Sequence, residues 1–381
     1  MKIETFHMER WQSAFEHNVE FNLSESGVQP LRLEELICDS SQTSKLLNQE
    51  LNYTQTNGTQ ELREVIAAQY PGTSPDNVLV TNGGSEANFL AIWHLLDSSD
   101  EAIVMAPNYP QIYSLAHASI GNVHKWWLRE THVGNKRQWQ VDLDELHQLI
   151  TPRTKMIAIC NPNNPTGSRL DESTLKSICE IAAKHGTWIL SDEIYRGAER
   201  DDKKTPSVWG QYERVIVTSG FSKAYGLPGL RIGWIITSAS EIDTLCSYHD
   251  YTTIAPGALN DYLATRALLP PMRDAILART QKILKHNYPI VRDWVSSLNG
   301  ILEHIPPEAG AIAYLRYKFP ASSTELANKL REKYSVLIVP GDHFGMDGYF
   351  RIGYGANAEI LKSGLERLGK LVKTLATDAA Y

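Results

Sequence analysis

Short, continuous apolar runs alternate with helical patterns along much of the chain. They occupy residues 78–81, 102–106, 156–160, 188–190 and 215–218. A run without polar alternation is typical of a strand covered on both faces, as in a parallel sheet flanked by helices. The alternation of such strands with helices predicts an α/β fold with a mostly parallel central sheet.

Beyond about residue 285 the order of elements changes to that of a smaller domain. We predict strands at 310–316, 335–341 and 349–354 and a closing helix at 358–375, whereas residues 1–45 show no regular pattern. We therefore expect a large domain over residues 46–284 and a smaller α/β domain formed by residues 1–45 and 285–381. The chain of 381 residues, 42% of them hydrophobic, is long enough to bury a core of this size.

Composition argues against several classes of protein. The formal net charge is −7 and no run of Lys or Arg exceeds two residues, so no nucleic-acid partner is expected. No apolar stretch of about eighteen residues suggests a membrane span, and a cytoplasmic location is the simplest expectation. The cysteines Cys38, Cys160, Cys179 and Cys246 are widely spaced and no HExxH pattern occurs, so we expect reduced, mostly buried thiols and no metal.

A single lysine, Lys223, follows the apolar run 215–218 and precedes a glycine-rich turn, and Arg231 comes eight residues later. A lysine lifted from the end of a buried strand into a pocket loses solvation, and neighbouring cations lower its pKa further. The result would be a nucleophilic amine that can form a Schiff base with an aldehyde. Arg231, close to this lysine in the sequence, would favour the binding of an anion.

Three other segments carry polar or aromatic groups just beyond predicted strands. Gly84, Ser85 and Glu86 open a helix, where free backbone N–H groups and the helix dipole favour a phosphate. Tyr109 lies between two nearby prolines and can stack on a flat ligand. Asp192 ends a buried strand, where a carboxylate is costly unless it is paired, for example with a protonated ring nitrogen.

The order of these segments resembles that of the class I/II aminotransferases, the fold-type I enzymes that carry pyridoxal 5'-phosphate (PLP). The lysine motif at residues 219–234 and the Asn-Pro-Thr-Gly order at residues 164–167 carry the resemblance most specifically. It implies that Lys223 holds the cofactor as a Schiff base. The residues implied at the cofactor phosphate are Gly84, Ser85, Glu86, Ser222 and Arg231. Many relatives have a serine three residues before the lysine, where this chain has Gly220, with Ser219 as a substitute hydroxyl.

The resemblance also implies contacts to the cofactor ring. Tyr109 would stack on it, Asp192 would pair with its nitrogen, and Asn164 and Tyr195 would hydrogen-bond its phenolic oxygen. The catalytic residues would be Lys223, Asp192 and Tyr195.

Substrate and subunit contacts follow from the same resemblance. Arg351 would bind the substrate α-carboxylate as a bidentate fork, with Asn164 and Gly27 beside it. Tyr53 would reach the cofactor phosphate of the neighbouring subunit, which implies a homodimer with shared active sites. The structural alternatives are a surface lysine for Lys223, a helix cap for Asp192, a surface strand arginine for Arg351, a core tyrosine for Tyr109, loop packing for Tyr53 and a turn glycine for Gly27.

These residues predict a PLP-dependent aminotransferase that moves the amino group of an L-amino acid to a 2-oxo acid. An alternative within PLP chemistry is elimination, cyclisation or oxidation of a modified amino acid, including one derived from arginine. It is kept because residues 22–30, Asn-Leu-Ser-Glu-Ser-Gly-Val-Gln-Pro, are loosely similar to capreomycidine-synthase-like members. A second alternative, a cofactor-binding protein without catalysis such as the sensor half of a regulator, is disfavoured because Lys223 and Asp192 are both present.

Overall fold

The structure, a computed structural model, describes residues 2–37, 39–134 and 136–378. Its α-helices are α1 (His7–Phe15), α2 (Leu33–Leu36), α3 (Ser40–Leu47), α4 (Gln60–Ala67), α5 (Gly84–Leu95), α6 (Pro110–Ile120), α7 (Leu143–Leu149), α8 (Glu172–His185), α9 (Ala239–His249), α10 (Ala258–Leu268), α11 (Pro270–Ser296), α12 (Ser323–Tyr334) and α13 (Ala358–Asp378). Its strands are β1 (Phe21–Asn22), β2 (Val78–Thr81), β3 (Glu101–Ala106), β4 (Val123–Trp127), β5 (Arg129–Val133), β6 (Lys136–Gln140), β7 (Thr154–Cys160), β8 (Trp188–Asp192), β9 (Val215–Gly220), β10 (Gly233–Ile236), β11 (Leu302–His304), β12 (Ile312–Tyr317), β13 (Val336–Leu337), β14 (Val339–Pro340) and β15 (Tyr349–Gly353). Short 3₁₀ turns occupy Pro75–Asn77, Pro228–Leu230 and Gly341–Phe344.

The central sheet has the order β2-β10-β9-β8-β7-β3-β4 in the described part of the chain. Strands β4, β3, β7, β8 and β9 pair in parallel, and β10 runs antiparallel to both of its neighbours. Strands β2, β3 and β9 are buried along their whole length, as expected where helices cover both faces of a sheet. The predicted α/β fold with a mostly parallel sheet is confirmed.

The carboxyl ends of the parallel strands meet at one edge of this sheet. Cys160 at the end of β7 pairs with Asp192 at the end of β8, which pairs with Thr218 in β9. Strand β10 begins at this edge, because Gly233 pairs with both Gly220 and Thr81. The residues that follow the parallel strands and those that precede β10 therefore converge there.

A second sheet, ordered β11-β12-β15-β14, is formed within residues 302–353. Strand β1 near the N-terminus pairs in parallel with β13 of the C-terminal part, and α13 contacts α11 and α12. Helix α11 runs without a break across residues 284 and 285, where the sequence suggested a boundary. The domain limits at residues 45/46 and 284/285 thus stay predictions.

The N-terminal region differs from expectation. Residues 1–45 were expected to be irregular, and this is wrong for α1, α2 and the start of α3. Helix α1 buries only Met8 and Gln12, and the Gln12 amide donates to the backbone oxygen of Ser24 at 3.1 Å. Met8, Trp11 and Phe15 recur at helical spacing in this helix, so the periodicity is present, but the helix has only nine residues and no side-chain N-cap to mark its start.

Other expectations concern single strands, thiols and membrane spans. The predicted strand 335–341 is divided into β13 and β14, which belong to different sheets. Cys160 and Cys179 are buried free thiols and Cys246 is a half-buried one, while Cys38 lies outside the described residues. Among the described helices, none is long and apolar enough to cross a membrane.

The N-terminal segment lies against β15 so closely that one position there must be glycine. A Cβ on Gly353 would lie 1.8 Å from the backbone oxygen of Glu25, and the Gly353 N–H donates to the Leu23 oxygen at 2.7 Å. We expect Gly353→Ala to lower the free energy of unfolding by about 1–3 kcal/mol, the usual cost of overpacking. Urea denaturation would measure it. Gly229→Ala, whose Cβ would meet nothing within 4 Å, is the control, and equal losses in both variants would contradict the prediction.

Candidate active site

A cavity of about 550 Å³ opens at the carboxyl edge of the central sheet. It is lined by most of the residues predicted from the sequence: Gly84, Ser85, Tyr109, Asn164, Asp192, Tyr195, Ser222, Lys223, Arg231 and Arg351. The N-terminal segment supplies another part of the wall, including Phe6, Glu9, Glu16, Glu25 and Ser26. Strand ends that are far apart in sequence thus bring their polar groups into one cavity.

One end of the cavity is suited to a phosphate group. Gly83 precedes α5 with φ +85°, and a Cβ on it would lie 2.4 Å from Arg231 Nη2. The guanidinium therefore stands against the first turn of α5, whose backbone N–H groups favour anions. Ser85 and Ser222 line the same cavity and can add hydroxyl donors. Together they form a cradle for a phosphate.

Gly220 has no room for the serine that many relatives have there. A Cβ on Gly220 would lie 2.9 Å from the backbone oxygen of Ile232 and 3.0 Å from Gly233 Cα. Ser219 does not replace the missing hydroxyl, because its Oγ donates to the Glu193 oxygen at 3.3 Å and the residue does not line the cavity. The phosphate cradle is built without a hydroxyl from either position.

Asp192 is a buried carboxylate at the end of β8. Its Oδ2 accepts from Asn88 Nδ2 at 3.0 Å and its Oδ1 from the Ile194 N–H at 3.1 Å. Thr218 Oγ1 donates to Asn88 Oδ1 at 2.7 Å and so fixes the amide. Burial raises the pKa of Asp192, while the two hydrogen bonds and Lys223 favour its ionised form. A carboxylate held in this way suits a protonated ring nitrogen.

Arg351 is buried on β15, with only 1% of its surface exposed, which excludes the surface alternative. Its Nη1 donates to Asn164 Oδ1 at 2.8 Å and its Nη2 to the Ser24 backbone oxygen at 2.7 Å. Its Nε has no hydrogen-bond partner among the described residues. Burial lowers the pKa of Arg351, and an unpaired buried donor on a cavity wall fits a carboxylate ligand.

Two tyrosines, Tyr109 and Tyr195, line the cavity. Tyr109 donates its hydroxyl to Glu9 Oε1 at 2.8 Å, and its ring centroid lies 5.2 Å from that of Phe6. Burial and the Glu9 carboxylate raise the pKa of Tyr109. Burial likewise raises the pKa of Tyr195, whereas Lys223 opposes this shift. Both hydroxyls therefore remain protonated near neutral pH and can donate hydrogen bonds.

Lys223 is paired with a carboxylate. Its Nζ donates to Glu25 Oε1 at 3.0 Å. Burial alone would lower the pKa of Lys223, but Glu25 and Tyr195 outweigh it and raise the pKa above the ordinary value. The lowered pKa predicted from the sequence is wrong for the free amine, because the prediction considered burial and neighbouring cations but no carboxylate. The charge of Lys223 in turn lowers the pKa of Glu25 to about 2.

Three predicted residues do not line the cavity. Gly27 lies next to it, since its Cβ would be 3.7 Å from Lys223 Cδ, but its N–H is bonded to Glu25 Oε1 at 2.8 Å. Glu86 points elsewhere and accepts from Thr253 Oγ1 at 2.9 Å. Tyr53 is 87% exposed on the surface and is not part of this cavity, so its contact with a neighbouring subunit stays a prediction.

Burial alone would raise the pKa of Glu86, but His249 and the Asn82 N–H, which both contact the carboxylate, hold it at about 2. The carboxylate thus fastens the turn before α5 to the segment that follows α9. Because its carboxylate is bound to these groups, Glu86 does not face the phosphate cradle.

Glu25, Glu9 and Asn88 are site residues that sequence reasoning missed. Glu25 lies inside the segment 22–30 that had attracted attention for its resemblance, and this was the only signal for it. Asn88 lies one turn into α5, and Glu9 lies in a helix that was not predicted. Each of them acts by contacting a predicted residue from a distant part of the chain.

The fold and the cavity together define a PLP-dependent enzyme of fold type I. The sequence model of the family described as Aminotransferase class I and II matches residues 30–368, and the chain belongs to that family. A PLP-dependent aminotransferase from Streptococcus suis has a solved structure with a TM-score of 0.92 at 32% identity, covering 98% of this chain and 99% of that one.

Curated relatives carry more than one activity. An aspartate aminotransferase from Thermotoga maritima is 31% identical over 84% of this chain and 83% of its own length. A capreomycidine synthase from Streptomyces vinaceus is 28% identical over 84% of this chain and 80% of its own. The solved structure of a PLP-dependent cyclase, OrfR, has a TM-score of 0.87 at 25% identity, covering 98% of each chain. Membership of the family is therefore clear, while its members differ in reaction.

The residues present fit PLP, the cofactor of this family. The cradle of Gly83, Arg231 and the first turn of α5 suits its phosphate, and the buried Asp192 suits its ring nitrogen. Tyr109 offers an aromatic face, and Lys223 offers an amine in the same cavity. The expected cofactor, pyridoxal 5'-phosphate, is confirmed by the family and its solved structures.

We expect borohydride reduction of the holoenzyme to fix the cofactor on Lys223, because this amine lies in the cavity beside the phosphate cradle. Peptide mapping by mass spectrometry would locate the adduct. Lys223→Ala should lose it, whereas Lys285→Ala, which removes an exposed lysine paired with Asp202, should keep it. An adduct on another lysine of the wild-type chain would disprove the assignment.

Proposed function

We propose that this enzyme transfers the amino group of an L-amino acid to a 2-oxo acid. The observation that carries the proposal is the arrangement of Lys223, Asp192 and Arg351 around one cavity. PLP, when bound, supplies an electron sink for the bond that breaks at the substrate Cα. Lys223 Nζ would take the Cα proton as the base and, as the ammonium that results, would be the acid that donates this proton to the cofactor C4'.

The other residues orient the two ligands. Arg351, already held by Asn164 and Ser24, would bind the α-carboxylate through its remaining donor capacity. Asp192, fixed by Asn88, would keep the ring nitrogen protonated, while Asn164 and Tyr195 would hold the phenolic oxygen. Each of these groups is positioned before substrate arrives, which limits the reorganisation that the reaction requires.

Elimination, cyclisation or oxidation of a modified amino acid is the second candidate. One observation favours it: the similarity to a capreomycidine synthase and to a PLP-dependent cyclase. All of these reactions begin with removal of a proton from Cα. They differ in where the electrons and the proton go next.

We expect one turnover with an amino acid, in the absence of any oxo acid, to leave the cofactor in its aminated form together with one equivalent of oxo acid. Amino acids would be scanned for loss of the visible absorbance of the holoenzyme. Lys223→Ala is the matched control and should show no change. Recovery of the original spectrum with ammonia release or oxygen uptake would favour elimination or oxidation, and recovery with neither would favour cyclisation.

The enzyme is further proposed to be a homodimer with shared active sites. Tyr53 is exposed in one surface cleft with Leu51, Pro256 and Leu259. Tyr251, 90% exposed, precedes the same segment, and Thr54 Oγ1 joins the two loops by donating to the Pro256 oxygen at 2.7 Å. Large apolar side chains grouped on a surface are typical of a protein interface. A second copy of the chain would cover these side chains. Tyr53 of the first copy would then contact the phosphate cradle of the second.

We expect Tyr53→Ala and Lys223→Ala, each impaired alone, to regain part of the activity when mixed under conditions that allow subunit exchange. A hybrid dimer would contain one site with both residues intact. Lys223→Ala mixed with Asp192→Asn is the control, because both changes affect the chain's own cavity and no hybrid site is intact. A fully active monomer, or equal recovery in the control mixture, would contradict the shared site.

A further inference from the structure

The turn that follows β1 presents a carboxylate to Lys223. Glu25 Oε1 accepts from Lys223 Nζ at 3.0 Å and from the backbone N–H groups of Ser26 and Gly27, each at 2.8 Å. Two backbone N–H groups of its own turn hold this oxygen in place independently of Lys223. The contact joins residues 198 positions apart in sequence, so it is a tertiary feature of the cavity.

The surroundings of Lys223 contain charges of both signs. The titratable or charged groups that line the cavity with it are Glu9, Arg10, Glu16, Glu25, Tyr109, Cys160, Asp192, Tyr195, Arg231 and Arg351. Arg351 destabilises the ammonium, whereas Glu25 stabilises it and is the only group among the described residues that forms a hydrogen bond to Nζ. Glu25 is therefore the group that most favours the protonated form of the free Lys223 amine.

We propose that Glu25 is a positioning residue that stabilises the ammonium form of Lys223, both in the apoenzyme and after the free amine has taken the Cα proton. The inference rests on the proposed role of Lys223 and extends it. A free Lys223 that has taken the Cα proton is stabilised beside the carboxylate, which strengthens it as a base. The same contact opposes the neutral amine that is needed to capture the aldehyde of PLP.

The contact also affects the expected carboxylate site. Gly27 was predicted to lie beside the substrate carboxylate, but its N–H is already bonded to Glu25 Oε1. A substrate carboxylate would meet a like charge at this position. In this chain Arg351 is therefore left as the principal group for the α-carboxylate, and the turn at residues 25–27 acts on the lysine.

The test is the pH dependence of PLP capture by the full-length apoenzyme, followed by absorbance after rapid mixing. In Glu25→Gln the midpoint should move to lower pH by about 1 unit, the lower end of the effect of an adjacent opposite charge. Below both midpoints, capture should become about tenfold faster, because the neutral fraction rises tenfold per unit. Glu25→Asp, which keeps the charge, should lie nearer to the wild type.

Glu16→Gln is the matched control. It removes the same charge from the wall of the same cavity, but its ion pair is with His17 rather than Lys223. This variant controls for the effect that loss of a negative charge has on the binding of anionic PLP. It should leave the pH midpoint of PLP capture unchanged. Equal midpoints in Glu25→Gln, Glu16→Gln and the wild type would overturn the proposal.

A second measurement needs no variant. Acylation of the wild-type apoenzyme at a series of pH values, read by mass spectrometry, would compare Lys223 with the exposed Lys285. Because Lys285 itself pairs with Asp202, the exposed Lys184, which forms no ion pair among the described residues, is the second reference. Lys223 should require a higher pH for acylation than Lys184, and reaction at a lower pH would refute the role of Glu25. If Lys223→Ala captures PLP as the wild type does, the proposed function itself fails, which is a different result from an unshifted Glu25→Gln.

Discussion

The site depends on a close approach of two backbone segments at the carboxyl edge of the central sheet. A Cβ on Gly233, the first residue of β10, would lie 2.4 Å from the carbonyl carbon of Gly83 and 2.5 Å from the Gly84 nitrogen. Only glycine allows β10 to start this near to α5. Because β10 is antiparallel, the residue that enters the cradle comes from just before the strand, and Arg231 thereby meets the first turn of α5.

Arg231 adopts φ +48°, a left-handed conformation that is uncommon for a residue with a side chain. Its Nη1 donates to the Pro228 oxygen at 3.0 Å, so the strained turn and the guanidinium support one another. Strain of this kind persists where the surrounding structure imposes it and is common at ligand sites. The position of the phosphate cradle thus follows from the backbone, and the side chains complete it.

Much of the site could be predicted because each motif is local. Asp192, Asn164 and Lys223 lie within a few residues of the ends of β8, β7 and β9, and parallel strands bring their carboxyl ends to one edge. Glu25 could not be assigned in the same way, because its partner is remote in sequence and the turn around it resembles any polar turn. The raised pKa of Lys223 was missed for that reason, since the sign of a shift depends on which charge is nearest.

The N-terminal segment contacts both Arg351 and Lys223. The backbone oxygen of Ser24 accepts from Arg351 Nη2, and the next residue, Glu25, binds Lys223. Gly353 in β15 lies against the same backbone, so the second sheet packs directly on the segment that contacts both cations. Two adjacent residues of one segment thereby couple the arginine proposed for the substrate carboxylate to the lysine proposed for the cofactor. The distance between Arg351 and Lys223 across the cavity therefore depends on the backbone of residues 24 and 25, which is held against β15 by the close approach at Gly353.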